Sequence, residues 1–440
     1  MTHANPQTVR MTRRLVIVVR ADPVICGHSG EARNLAEAAL LRGFDEVRIV
    51  TWPIERLESA GLPLKPLDSV LPYSEGIHVE RPEPVGDYKV VDGRYIGGLI
   101  GRLVELFTDG VPTVAMSLYL SPHTTAVTDA VEVARRTGLP VNVITVAEAV
   151  GSDITNVVRQ CIEADRFGAA AHVLESYLAS DVCVAVSQYT KDLIVEEARH
   201  LDTKHGTSYA ARCEEKVAIS YPAINAALFV GLEPEDVDRH LAARGLERDG
   251  YVFYLSRLAR AKGVDDLIAG FAAAEAATDR QLVIAGRGPE EMELRAIAAA
   301  SPAADRIRFL VDVDDAEKPF LFAGAAAYVL PTKPRPEFIE TFGIALAEKA
   351  LSGGGPAITT LTGGVGEAVG DTAIIIDVDA PEQIAAAIDR ALSMGSAERA
   401  EWEDRAREYA LQFDRASVFD ALFERVTAVE AERERVRAAS

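Results

Sequence analysis

No apolar run in this 440-residue chain approaches the roughly 20 residues a helix needs to cross a bilayer. The start, MTHANPQTVRMTRR, has no apolar h-region between its arginines and the strand-like LVIVV. No signal peptide is read there, and a soluble cytoplasmic protein is expected. Cysteine is scarce: Cys26, Cys161, Cys183 and Cys213 are the full set. None forms a CxxC pair, which argues against a zinc ribbon or a disulfide framework. Cys183, inside DVCVAV, reads as a small core residue. Positive charge is in deficit, with 46 Lys and Arg against 67 Asp and Glu and a net charge of −21. Such a field repels nucleic acid and anionic membranes, so neither is expected as a partner. It does not exclude a small anionic ligand, because local cations and helix N-termini can override it inside a pocket. It also tolerates a cationic one. No cluster with metal-ligand spacing is found, and no metal or cofactor is expected.

Apolar residues are plentiful, at 48%, enough for large cores. The length suits two α/β domains of about 150–200 residues each. Valine- and isoleucine-rich runs alternate with helical stretches: 15–19, 47–51, 113–118, 141–146 and 182–186, with a long helix near 153–178. Continuous apolar strands separated by helices indicate parallel sheets buried on both faces. SYPAINAALFVGLEPED, at 220–236, breaks the rhythm with two prolines and places a hinge. Strands then resume at 251–255, 281–285, 306–311, 325–330, 357–360 and 373–377. Two doubly wound units are expected: residues 1–230 and 231–414, with a final helix over 415–440. The Pro- and Gly-rich region 52–95 suggests a hairpin at Asp92-Gly93.

Four segments carry chemistry. In the first, the strand AYVLP is followed by a loop, then by Glu340-Thr341-Phe342-Gly343 opening a helix that includes Glu348. Free amides at a helix start suit a diphosphate or a sugar hydroxyl. Glu348 lies on an apolar face with no cation at i±3 or i±4, so it needs a partner from elsewhere. Ribose hydroxyls and a tertiary salt bridge are equally good candidates. The second segment, Ser256-Arg257-Leu258-Ala259-Arg260-Ala261-Lys262-Gly263, follows a strand at the sheet edge where ligands bind. Arg257 and Lys262 straddle a turn there and could both reach a diphosphate, or be surface cations. The third, Gly286-Arg287-Gly288-Pro289, is a tight strand-to-helix turn at the same edge, and Gly363-Gly364…Glu367 is a similar turn. The fourth is the long loop after LVIVV, Arg20-Ala21-Asp22-Pro23-Val24-Ile25-Cys26-Gly27-His28-Ser29-Gly30-Glu31, in which Gly27 and Gly30 permit close backbone approach at a helix start, a common arrangement with no specificity of its own.

Together these residues resemble the retaining glycosyltransferases of the GT-B fold, family 4. The resemblance rests on Glu340…Glu348 with Phe342-Gly343 inside, Arg257-Leu258…Lys262-Gly263 upstream, and Gly353-Gly354-Gly355-Pro356 and Gly363-Gly364…Glu367 downstream. It implies two Rossmann-like domains with a cleft between them, and a C-terminal helix crossing back to the first. It further implies that Arg257 and Lys262 hold the donor diphosphate and that Glu340 binds the donor sugar. Ser256, Gly286 and the amides of Thr341, Phe342 and Gly343 would line the donor site, Glu348 would bind the ribose, and Gly27 and Gly30 would face the sugar and phosphate. The donor would be a UDP- or GDP-sugar, transferred by front-face attack without a metal.

Departures from the family fall on both the donor and the acceptor side. Ser256 replaces the usual Gly, and the loop Lys333-Pro334-Arg335-Pro336-Glu337 is longer than usual. Where many relatives carry His, TVAEAVGSD offers Glu148, which suits a cationic acceptor or a proton acceptor of different pKa. His28 and His123 are the other acceptor-side candidates, or polar residues at helix starts. PEFIETFGIALAEKALSGGGPAITT resembles loosely the glycosyltransferases of aminoglycoside and lincosamide antibiotic pathways. TVAEAVGSD resembles sucrose-phosphate-synthase-like sequences. The expected activity is glycosyl transfer to a small polar acceptor, by a monomer or homodimer. A primary-metabolite sugar transferase and a sugar-nucleotide epimerase are the alternatives.

Overall fold

A computed structural model describes residues 12–86, 91–336 and 338–439. The chain divides into two compact units. The first comprises Met1–Ala185, Leu193–Ser220 and Phe419–Ser440; the second comprises Val186–Asp192 and Tyr221–Val418.

The first unit is built on seven strands: β1 (Arg14–Val18), β2 (Glu46–Val50), β3 (Ile77–Glu80), β4 (Thr113–Leu118), β5 (Val143–Ala149), β6 (Val182–Ala185) and β7 (Val217–Ile219). They pair in parallel in the order β3-β2-β1-β4-β5-β6-β7. The central strands β1, β4, β5 and β6 are buried along their whole length, which is why they read as unbroken apolar runs. The order reverses between β1 and β4. In doubly wound sheets the loops leaving the carboxyl ends of two such strands diverge, and a crevice opens there.

The second unit repeats the plan with six strands: β8 (Tyr251–Leu255), β9 (Gln281–Ala285), β10 (Ile307–Leu310), β11 (Ala327–Leu330), β12 (Ala357–Thr360) and β13 (Ala373–Ile376). Their order is β10-β9-β8-β11-β12-β13, again parallel. Its switch point lies between β8 and β11. The core here is rich in large rings: Tyr251, Phe253, Phe322 and Tyr328 are fully buried and meet largely edge to face. Each tyrosine hydroxyl donates to a carbonyl, Tyr251 to Leu321 at 2.6 Å and Tyr328 to Leu255 at 2.9 Å, so burial leaves no polar atom of theirs unpaired.

The last helix, Arg415–Ala439, carries Phe419 and Phe423 against Phe44 of the first unit, with centroids 6.0 and 5.2 Å away. Asp420 pairs with Arg42 at 2.7 Å, and Arg433 pairs with Asp181 at 2.6 Å.

Two expectations fail. The segment around Asp92-Gly93 is not a hairpin: Val91–Thr108 is one helix. Its glycines are packing positions. A Cβ on Gly98 would lie 2.2 Å from the Glu83 carbonyl oxygen, and one on Gly97 would lie 2.7 Å from the Val85 side chain. The long helix near 153–178 is broken into Ile154–Arg159, Gln160–Glu163 and Phe167–Leu178. Asp165 takes a left-handed φ of 56° at the break. Short edge strands β3 and β7 and the helix Pro234–Ala243 had no counterpart in the sequence pattern.

Candidate functional site

At the second unit's switch point, the loops after β8 and β11 meet. After β8 the chain passes Ser256 and Arg257 into a short turn, Arg260–Lys262, and then the helix Val264–Ala273. Gly263 links the two at φ 66°, and a Cβ there would lie 2.0 Å from the Pro331 carbonyl oxygen. The Lys-Gly pair is thus a steric requirement. Only glycine lets the turn carrying Lys262 press against the end of β11.

Lys262, buried, pairs with Glu340 from the far side of the switch point. The Phe338 ring lies under both cations, with Lys262 Nζ 4.8 Å and Arg257 Cζ 5.6 Å from its centroid. Arg257 is exposed, and among the described residues it makes no ion pair. One cation is therefore held in place by a carboxylate and the other stands free on an aromatic platform.

Phe342 anchors the segment Glu340–Gly343 below, packing on Tyr221 and Phe413 with centroids 5.6 and 4.9 Å away. Thr341 is half-buried, and Gly343 turns at φ 101° into the helix Ile344–Ser352. The turn Gly363-Gly364 packs on the same segment. Gly364 N donates to the Glu340 carbonyl at 2.9 Å, and a Cβ on Gly363 would lie 2.0 Å from that oxygen. Glu367 accepts from the amides of Gln188 and Tyr189 at 2.8 and 3.1 Å. Gly286 lies beside Ser256, where a Cβ would stand 2.0 Å from the Ser256 carbonyl oxygen.

Glu348 finds the tertiary cation that its own helix lacks. Lys318 Nζ sits 2.6 Å from its carboxylate. Burial pushes the Glu348 carboxyl up, and Lys318 reverses this only in part. The sequence pattern did not point to Lys318, whose one signal is its place before Pro319 at a helix start. Lys333, from the lengthened loop, is buried in a cage of Asp265, Asp266 and Asp379 at 2.9, 2.9 and 3.1 Å. It ties that loop to the helix after Gly263. Glu337 lies outside the described residues.

The first unit's switch point collects different chemistry. Gly27, exposed, opens the helix Gly27–Leu41. A Cβ on Gly30 would meet nothing within 4 Å, so there is room at this turn. His28 is half-buried, its ring edge-on to Tyr119 at 6.3 Å, and Arg20 lies over the same tyrosine at 5.1 Å. Burial and Arg20 push the His28 imidazole down to about 4.

His123 is fully buried, and both ring nitrogens are engaged. Nδ1 lies 2.6 Å from the Leu118 carbonyl, and Nε2 accepts from Trp52 Nε1 at 3.2 Å. Nδ1 therefore carries the proton. Burial pushes this ring to about 3. A ligand contact to His123 would have to displace Trp52 or the Leu118 carbonyl.

Glu148 ends β5 with no exposed surface. Its carboxyl faces Glu31, from the first turns of the Gly27–Leu41 helix, and feels Asp153. Burial first, then these two acids, raise it well above the usual carboxylate range. Asp153 accepts the amides of Leu120, Val150 and Gly151 at 2.9–3.1 Å; burial still pushes it up to about 6. Arg20 and Glu31 bound the loop singled out in the sequence but had no role assigned to them, and Tyr119 carried no recognisable motif.

Residues 237–409 match the family described as Glycosyl transferases group 1. That match lies within the second unit. Over 162 residues the chain is 32% identical to a GDP-mannose-dependent alpha-(1-6)-phosphatidylinositol monomannoside mannosyltransferase of Mycobacterium tuberculosis. That match covers 34% of this chain and 42% of the relative, less than half of its length.

Solved structures match over nearly the whole chain. Alr3699/HepE of Anabaena, in complex with UDP and glucose, has a TM-score of 0.67 at 17% identity, covering 94% of this chain and 99% of that one. Sucrose-phosphate synthase of Thermosynechococcus elongatus has a TM-score of 0.63 at 18% identity, covering 97% and 100%. The fold is GT-B: two parallel-sheet Rossmann-like units in one chain.

Proposed function

We propose that the chain is a retaining, metal-independent glycosyltransferase that moves a sugar from a nucleoside-diphosphate sugar to a small polar acceptor. The observation that carries this reading is the Lys262–Glu340 pair across the second switch point, inside the segment that matches Glycosyl transferases group 1. A diphosphate leaving group needs positive charge that is already in place when the sugar bond breaks. Lys262 is fixed by Glu340 and by the Phe338 ring, so little reorganisation is needed. Arg257 is free to fork onto a second phosphate oxygen. Glu340 faces the sugar hydroxyls, with the amides of Thr341–Gly343 beside it. Ser256 and Gly286 line the phosphate turn. Glu348, already paired with Lys318, presents its second oxygen to a ribose.

The acceptor binds at the first unit, near His28, His123 and Glu148, with Gly27 and Gly30 permitting close backbone approach of a sugar or phosphate to that helix start. Its proton passes to the leaving diphosphate in a front-face displacement. GDP-mannose is the donor named for the mycobacterial relative, and UDP occupies the Anabaena structure; both are candidates here.

Among the described residues no helix is long and apolar enough to cross a membrane. The proposed enzyme is a soluble, cytoplasmic monomer or homodimer acting on a soluble acceptor, as in antibiotic or other small-molecule glycosylation. The mycobacterial relative acts on a phosphatidylinositol mannoside, which makes a lipid-linked acceptor the second reading.

Thermal-shift titration with UDP-, GDP-, ADP- and TDP-sugars tests the donor assignment. One nucleotide series should raise Tm, because a ligand that binds the folded state stabilises it. The matching sugar should then release free nucleoside diphosphate when an acceptor is supplied. Absence of any nucleotide-dependent shift would overturn the proposal.

A further inference from the structure

Arg20 leaves the carboxyl end of β1 at the first unit's switch point and is half-buried. Its guanidinium lies 5.1 Å from the centroid of the Tyr119 ring. Among the described residues its side chain makes no ion pair and no hydrogen bond. A ring attracts a cation without taking up its N–H groups, so all five donors stay available. Carboxylates are in surplus in this chain, 67 acidic against 46 basic residues. Arginines elsewhere in the unit find one: Arg33 pairs with Asp22, Arg48 with Glu80 and Arg159 with Glu197, at 2.8, 2.9 and 2.7 Å. Against that surplus, a guanidinium left unpaired at a crevice marks a place for an anion from outside the chain.

The acids around Arg20 are spent elsewhere. Asp22, two residues on, is taken up by Arg33, Lys65 and the Tyr73 hydroxyl. Asp153, which also acts on Tyr119, accepts the amides of Leu120, Val150 and Gly151.

His28 stands on the same tyrosine, edge-on at 6.3 Å. Among the described residues no hydrogen bond occupies its ring nitrogens. Burial and Arg20 keep it neutral at pH 7, so one nitrogen carries an N–H to donate. The ring between them is fixed from below. Tyr119 holds a φ of 99°, which a side-chain-bearing residue seldom adopts, and its amide donates to the Glu148 carbonyl at 3.1 Å. Strain of this kind persists where the surroundings impose it. The approach is open to solvent: Gly27 and Gly30 are exposed, and a Cβ on Gly30 would meet nothing within 4 Å.

The ligand chemistry follows from these donors. A guanidinium fork matches two oxygens of a phosphate or a carboxylate, and an imidazole N–H can reach another. An ammonium would be repelled by Arg20, and a neutral hydroxyl would leave its charge unanswered. We propose that Arg20, with His28 beside it, docks an oxyanion carried by the acceptor, so that the acceptor class is a sugar phosphate or a sugar acid. The inference rests on the reading of the first unit as the acceptor half of a glycosyltransferase.

The test uses the full chain with glucose 6-phosphate, glucuronate and glucose as probes, read by thermal shift at pH 7, with UDP-glucose and GDP-mannose titrated in parallel. At least one of the two anionic sugars should raise Tm by about 2 °C, while glucose should not. Which of them does so tells a phosphate from a carboxylate. Arg20→Gln should abolish that shift, and Arg20→Lys, which keeps the charge and loses the fork, should retain part of it. Arg20→Gln should itself melt within about 1 °C of wild type, because no bond within the protein is lost. No shift from either anionic sugar, an equal shift from glucose, or a shift that survives Arg20→Gln would each overturn the proposal. So would an Arg20→Gln variant that loses the nucleotide-sugar shift as well, since Arg20 would then serve the donor. The nucleotide-sugar arms on the wild-type chain report separately on the donor reading, so its failure and this one's are distinguishable.

Discussion

The two switch points of this molecule handle buried charge in opposite ways. In the second unit each buried acid meets a cation from another element: Glu340 meets Lys262, and Glu348 meets Lys318. In the first unit Asp22 pairs with Arg33 and Lys65, but the buried carboxyl of Glu148 faces another acid, Glu31, and the nearby histidines are held neutral. A paired site is preorganised and keeps its charges at neutral pH. Substitutions on the two sides should have opposite effects on stability, and this sign is the sharpest way to break the comparison.

The largest effect is expected at Lys262. Lys262→Ala removes the cation fixed at the proposed diphosphate site, and turnover should fall roughly 100- to 1000-fold. Donor affinity should change far less. Steady-state and binding measurements on the same preparation check the split; unchanged turnover would remove Lys262 from the reaction.

Next is Glu348→Ala. It leaves half-buried Lys318 with only the more distant Asp315, 3.8 Å away, and losing the close partner should cost up to about 3 kcal/mol. Chemical denaturation should show the loss, and calorimetry with the preferred nucleotide should show weaker binding. Glu148→Gln in the first unit should move stability the other way. If both variants destabilise alike, the contrast between the two switch points fails.

Gly263→Ala should cost about 2 kcal/mol, from the left-handed backbone and the contact with the Pro331 carbonyl together. A circular-dichroism melt reads it directly. A neutral result would mean the turn can move away from β11, and Lys262 with it.

What could be read from the sequence follows the same division. The second unit's site lies in short contiguous segments, where spacing alone sets Glu340 one turn before a helix and Lys262 next to its obligatory glycine. Its strands β8, β9 and β12 match their apolar runs residue for residue. Lys318 was not legible, because its partnership with Glu348 joins two helices 30 residues apart. The first unit's crevice is assembled from the ends of β1, β4 and β5, and no local pattern records that Glu31 faces Glu148. The helix Val91–Thr108 was misread for a related reason. Its glycines answer to the neighbouring segment 83–85, a tertiary demand, and in isolation they look like turn signals.

The smallest effect concerns His123, and it tests whether the first crevice really excludes protons from its imidazoles. The folded ring titrates near 3, against about 6.5 for an exposed one. The unfolded chain therefore binds more protons than the folded chain between these values. His123 contributes stability that is complete above about pH 6.5 and is lost as pH falls toward 3. His28, lowered to about 4, acts in the same direction. Asp153, raised to about 6, acts in the opposite one: its folded form holds a proton that the unfolded form has lost, so stability declines as pH rises from about 4 to 6. His123→Gln should remove one of the two histidine contributions, raising stability relative to wild type by about 1 kcal/mol on going from pH 7 to 5.5. The decline due to Asp153 should persist. Denaturation midpoints across this range, with Trp52 fluorescence as a local probe of its bond to the ring, separate the two. A wild-type acid slope that is unchanged in His123→Gln would mean that the imidazole reaches solvent, and that the crevice is more open than its burial indicates.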